Sequence, residues 1–191
     1  MSTVAKYISA VLAAACIVSM TVMAEPNSDT SPAAMMRELR LRWLTDKSFI
    51  GSENNAQSSS SDKVLAVLMD WPVGDNIATI LAASSGDASL YTTATFGILG
   101  GIGHDNVRKA AIALADDARR YLALATPTTD YSYPDKGRVK FFFVQPSGVQ
   151  SVTFLMADID QPGSPARDLF AHGQQVLTEL RSVTPPPGAQ H

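Results

Sequence analysis

Residues 64–69, VLAVLM, form an unbroken apolar run closed by Asp70 and by the Trp71-Pro72 pair. A run this short, with a proline so close behind it, does not make a helix. It shows no alternation, so neither face is marked for water, and it predicts a strand covered on both sides. A chain holding such a strand must lay packing layers above and below it.

The flanking segments predict what those layers are. Residues 77–83 and 89–96 are joined by Ser84-Ser85-Gly86-Asp87, and their Thr, Tyr and Phe content predicts a hairpin. Residues 105–125 place Val107, Ala111, Leu114, Ala118, Tyr121 and Ala125 on one helical stripe, stopped by Pro127. Residues 138–144 alternate, with Val139, Phe141 and Phe143 on one face and Arg138 and Lys140 on the other. Gln145-Pro146-Ser147-Gly148 is a turn, and residues 149–157 return with Val152, Phe154 and Met156 facing inward. Ser164 then serves as N-cap and Pro165 as first residue of a helix reaching about Val183, with Leu169, Gly173, Val176 and Leu180 as its stripe.

The order β-β-β-α-β-β-α predicts an α+β domain over residues 63–183: a mainly antiparallel five-stranded sheet with two packing helices. Residues 25–62 precede it as a short helix and a flexible linker. The helix is expected at 35–46, where Met36, Leu39 and Trp43 have helical spacing, although Leu39, Leu41 and Trp43 also alternate as in a strand. Pro185-Pro186-Pro187 ends the fold, and residues 184–191 are expected as a disordered tail.

Residues 1–24 read as a signal peptide: Lys6, an apolar stretch to Met23, and Val22-Met23-Ala24 before Glu25. The expectation is cleavage after Ala24 and a periplasmic or secreted protein. Retention of the leader as an anchor, or lipidation at Cys16, are the rival fates, and the only expected routes to a membrane. Cleavage removes the sole cysteine, so the exported chain is held by packing without disulfides. The full chain has a formal net charge of −3, and Arg37, Arg40 and Arg42 are too few to displace counterions from nucleic acid.

The most distinctive local motif is Gly-Ile-Leu-Gly-Gly-Ile-Gly-His at 97–104, ahead of the first long helix. Gly100, Gly101, Gly103 and His104 form a candidate ligand site, with backbone N–H groups at a helix start offered to an anion. The plain structural alternative is a turn that needs glycine for close backbone approach. No Lys-Ser/Thr follows, so it is no phosphate loop, and a dinucleotide fingerprint fails at Asn106. His104-Asp105 could pair as base or metal ligands, or Asp105 could be an N-cap. Asp168 and His172 share a helical face at i, i+4, but no cysteine nucleophile or Gly-x-Ser-x-Gly elbow accompanies them. Asp158 and Asp160 project to one side of a strand end and run into a Gln-Pro-Gly turn. No catalytic set, metal site or cofactor is expected from these pieces. Trp43 and Trp71 are candidate partner anchors, or aromatics closing the edge of the core.

Taken together, VLAVLMDW (64–71), SLYTTATFGILGGIGH (89–104), TTDYSYPDKGRVKFFFV (128–144) and LFAHGQQVLTELR (169–181) resemble a family of small, uncharacterised bacterial proteins. The resemblance implies no activity, cofactor or catalytic residue, and the leader is a departure from it. The expected function is a non-enzymatic domain that binds another envelope or secreted protein. The alternative is a small hydrolase or anion- or ligand-binding domain using the loop from Gly100 to His104.

Overall fold

The apolar run becomes β1 (Ala66–Val73), which continues through Asp70 and Trp71 instead of stopping at them. The computed structural model describes residues 31–46, 62–94 and 96–184; the leader, Cys16, the rest of the linker and the tail beyond Thr184 lie outside them. β1 is an inner strand of one antiparallel sheet with β2 (Asn76–Ala83), β3 (Ala88–Thr92), β4 (Thr126–Pro127), β5 (Arg138–Gln145) and β6 (Gly148–Leu155). The spatial order is β3-β2-β1-β5-β6-β4. The sequence predicts a five-stranded sheet, and among the described residues the sheet has six strands. The extra one, β4, pairs only Thr126 with Ser151 and Pro127 with Gln150, too short to leave a periodic signal. It sits at the sheet edge, where a proline without an N–H is tolerated.

One face of the sheet carries Val67, Met69 and Trp71 from β1, Ile80 from β2, Leu90 from β3 and Phe141 and Phe143 from β5. Against it lie α2 (Asp105–Asp117) and α4 (Pro165–Val183), through Val107, Ala111, Leu114, Leu169, Val176 and Leu180. The helix predicted over 105–125 tightens to 3₁₀ geometry at Ala118–Leu124. Gly173 lets α4 approach β1 closely: a Cβ there would lie 2.6 Å from Met69 Sδ. Ser164 caps α4 by accepting from the Ala166 N–H at 3.2 Å, with Pro165 behind it. β6 ends at Leu155, and α3 (Met156–Ile159) occupies what the sequence suggests is still strand.

The other face is also dry. Alternation along β5 predicts Arg138 and Lys140 on a polar side, yet Phe142 and Val144 lie on that side too, and Lys140 is buried. The cover is α1 (Pro32–Thr45), begun by Ser31, whose hydroxyl accepts from the Ala34 N–H at 3.2 Å. Met36, Trp43 and Leu44 of α1 pack with Leu68, Leu81, Tyr91 and Phe142 in a second core. Each such apolar side chain contributes at most about 1.5–3 kcal/mol on burial.

At the centre of this second core Thr79, Asp70 and Lys140 stand side by side across β2, β1 and β5. Asp70 is fully buried and ion-paired with Arg40 of α1, which is itself 1 % exposed. Arg40 Nε also donates to both Asp70 oxygens at 3.1 and 3.2 Å, and the Thr79 hydroxyl donates to Asp70 at 2.5 Å. Arg40 Nη1 donates to the Tyr131 carbonyl at 3.0 Å, and its guanidinium lies 4.3 Å from the centre of the Tyr133 ring. Lys140 Nζ donates to the carbonyls of Asp130 and Ser132 at 3.3 and 3.2 Å. Burial pushes the Asp70 pKa up, opposed by Arg40, Thr79 and Lys140.

Arg40→Met leaves a buried carboxylate without its main partner and is expected to lower stability by about 3–5 kcal/mol in urea unfolding. Arg40→Met with Asp70→Leu recovers most of that loss, because no buried charge is then stranded. Burial also pushes the Tyr91 phenol up to about 12. The folded state therefore holds that proton more tightly than the unfolded chain, and stability falls as pH rises between the ordinary tyrosine value and about 12. The decline is expected to reach about 2 kcal/mol and to be absent for this site in Tyr91→Phe, compared by urea unfolding on either side of that window.

Candidate functional site

β1, β2 and β3 finish or begin at the same end of the sheet, where Trp71, Ile77, Ala78 and Leu90 face the last turns of α4. These residues, with Phe96, Leu177 and Arg181, enclose a groove of about 140 Å³. Trp71 is 9 % exposed and meets Phe170 of α4 edge-to-face, ring centres 6.0 Å apart. It forms the inner wall of the groove. At the rim Val73 and Phe96 stand 52 % and 59 % exposed.

The segment after β3 is held to the sheet. Leu90 and Ile98 exchange backbone hydrogen bonds at 2.8 and 2.9 Å, and the Thr92 hydroxyl donates to the Phe96 carbonyl. Leu99 and Ile102 follow, both about half exposed. A second cleft of about 250 Å³ lies here, lined by Ile98, Leu99, Gly100, His104, Leu180 and Thr184. Val73 and Phe96 at the first groove and Leu99 at the second cleft thus leave large apolar side chains exposed, with Phe96 and Gly97 consecutive between the two openings.

The glycine motif is placed by packing. Gly100 has φ +76° and starts the 3₁₀ turn Gly101–Gly103. A Cβ on Gly101 would lie 2.6 Å from Val107 Cγ1 and 2.8 Å from Leu180 Cδ2, so glycine here lets the turn sit between α2 and α4. Gly103 and His104 are exposed, and the His104 side chain does not cap α2. Asp105 is the first residue of the helix, not its N-cap, and pairs with exposed Arg108 at 2.8 Å. A carboxylate at that position repels an anion approaching the helix start.

The remaining candidates separate. His172 faces not Asp168 but Asp117 at the end of α2, 2.9 Å away, and Asp117 is also ion-paired with Arg120. The contact bridges α2 and α4. Asp158 accepts from the Leu155 N–H at 3.2 Å as a cap of α3, so it and Asp160 stand on a helical turn and not at a strand end. No cluster of three His, Cys, Asp or Glu suited to a metal ion occurs among the described residues. Trp43 is 2 % exposed, and its Nε1 donates to the Tyr91 hydroxyl at 3.1 Å, which makes it a core residue.

Comparison of the chain with known protein families, with curated proteins and with solved structures returns no match. Several groove residues escape sequence reasoning. Phe96 reads as the end of a strand, and Arg181 and Val73 draw no attention in the sequence. Phe96 next to Gly97, an aromatic just past a strand that ends in a glycine-rich turn, is the one local signal.

Gly101→Ala is expected to lower stability by about 1–3 kcal/mol through overpacking against Val107 and Leu180. Gly103→Ala, with open space around the added carbon, is expected to stay within about 0.5 kcal/mol of the parent chain in the same unfolding measurement.

Proposed function

We propose that the chain is an exported, non-enzymatic protein-binding domain, acting in the periplasm or outside the cell, with its binding face at the groove end of the sheet. One observation carries this reading: Val73, Phe96 and Leu99 are each 50–59 % exposed and line two small clefts, with Ile102, 47 % exposed, on the same glycine-rich segment as Leu99. Large apolar side chains gathered on one face mark interaction surfaces, whereas scattered ones need no explanation. At about 140 and 250 Å³ the clefts are smaller than the roughly 300 Å³ at which small-molecule pockets begin. They suit anchor side chains of a partner polypeptide. The backbone bridge between Leu90 and Ile98 holds the segment before binding, so little ordering entropy opposes association. Export is supported by the leader-like residues 1–24.

The test is affinity capture from an envelope extract with the parent chain and with a Phe96→Ser, Leu99→Ser variant. Both substituted side chains are half exposed or more, so the variant is expected to keep its unfolding midpoint. A protein retained by the parent and reduced about tenfold or more by the variant supports the reading. Equal retention by both chains, or retention of nothing by either, overturns it. N-terminal sequencing of the same preparation is expected to begin at Glu25.

A further inference from the structure

The segment that carries Phe96 and Leu99 is fastened from the far side of the sheet. Of the strands, α1 lies closest to β3, and it meets the end of that strand twice. Trp43 Nε1 donates to the Tyr91 hydroxyl, and Met36, 8 % exposed, packs in the same core as Tyr91. Met36 also covers Gly97: a Cβ built there would lie 2.6 Å from Met36 Sδ and 3.2 Å from its Cε. Gly97 has no positive φ, so what excludes a side chain is the space taken by the thioether and by the Leu90 carbonyl. On either side of Gly97, Phe96 lines the groove and Ile98 packs against the first core. One three-residue stretch at the edge of the sheet therefore touches both the α1 layer and the α4 layer. β3 itself holds this stretch through the Leu90–Ile98 bridge and the Thr92–Phe96 hydrogen bond. Such bonds contribute roughly 0.5–1.5 kcal/mol each, too little to fix the stretch once its cover is withdrawn. α1 adds no strand to the sheet and is joined to it by side chains, Arg40 to Asp70, Trp43 to Tyr91 and Met36 to Gly97.

We infer that α1 is a clasp on the binding face, with Met36 as its positioning residue. With α1 docked, Met36 presses Gly97 against β3 and sets Phe96 and Leu99 around the two clefts. With α1 released, Gly97 loses its cover, the bridge opens and each cleft loses a wall. Met36 acts through Gly97 from the opposite side of the sheet and needs no contact with the partner. Coupling of this kind is reciprocal: a polypeptide seated on Phe96 and Leu99 tightens α1, and release of α1 weakens binding by the same factor. This rests on the protein-binding reading above and adds the regulation of that face.

The experiment follows amide hydrogen exchange by NMR in the full ¹⁵N-labelled chain. It reads the Leu90 and Ile98 amides, which close the bridge, against the amides of β1 and β5. Met36→Ala is expected to speed Leu90 and Ile98 by about tenfold or more beyond any change in β1 and β5. Met36→Leu keeps the apolar bulk and is expected to restore the parent rates. Arg40→Met, which loosens α1 one turn away from Met36, is expected to speed the same two amides. Leu169→Ala, a core truncation on α4, is expected to speed β1 and β5 while leaving the bridge within about twofold of the parent. In capture from an envelope extract, Met36→Ala is expected to retain about tenfold less of the captured protein than the parent, and Met36→Leu to match the parent. Parent-like exchange at Leu90 and Ile98 in Met36→Ala, or equal acceleration there in Leu169→Ala, overturns the inference. Full retention by Met36→Ala with the bridge amides accelerated overturns it as well. Each of these results leaves the protein-binding reading to its own test with the Phe96, Leu99 variant. If the parent chain retains nothing, that reading fails, and the exchange rates alone decide whether α1 clasps the segment.

Discussion

A carboxylate at the middle of an apolar strand, with no exposure to solvent, sets the terms for the second face of this sheet. Asp70 cannot remain ionised there without a cation and hydrogen-bond donors at close range. Thr79 supplies one donor from the neighbouring strand, and Arg40 supplies the cation from α1. Arg40 in turn needs acceptors for its remaining N–H groups, and finds the Tyr131 carbonyl on the segment leading into β5. Lys140 ties the same segment down through the carbonyls of Asp130 and Ser132. One buried charge thus draws together a helix before the sheet, two central strands and a loop some 60 residues further along. The Trp43–Tyr91 hydrogen bond repeats the device at smaller scale, giving α1 a second polar contact with the sheet.

Much of the fold is legible because its signals are local and periodic. The doubly apolar run, the hairpin between β2 and β3, the stripes of α2 and α4 and the Ser164-Pro165 start all follow from spacing within a few residues. The second core is legible only as a requirement. A strand apolar on both sides demands a cover, but nothing local says that the cover is α1. Lys140 looks like a solvent residue because its side chain is charged; it is buried because backbone carbonyls from another segment reach it. Arg40 looks like one of three arginines on a short helix. Its separation of 30 residues from Asp70 puts the pairing beyond any window of sequence periodicity.

The candidate site divides in the same way. The glycine motif is conspicuous as letters, and its most constrained member, Gly101, is fixed by the side chains of α2 and α4 around it. The groove is inconspicuous because five separate segments each supply one to three residues. Element ends carry no periodic signature, and the exposure of Phe96 follows from where β3 stops and from the bridge that holds Ile98. Trp71 stands out in the sequence as a candidate anchor; its position as a wall rather than a rim depends on Phe170 behind it.

The buried pair and the groove are connected through strand register. Along β1 Asp70 points to α1 and the next residue, Trp71, points to α4. A slip of β1 by one residue would send Asp70 into the apolar layer beneath the helices and turn Trp71 away from the groove. An apolar residue at position 70 would weaken the penalty on that slip, because the run from Val64 is apolar on both faces and has little else to distinguish them. The desolvation of Asp70 and Arg40 offsets much of their mutual attraction, so their net contribution to stability is smaller than their contact suggests. Their larger consequence is discrimination: only one register gives the carboxylate its guanidinium and its threonine hydroxyl together. That register is also the one that turns Trp71 inward beside Leu90 and Leu177, so the charge hidden on one face of the sheet fixes the shape of the opening on the other.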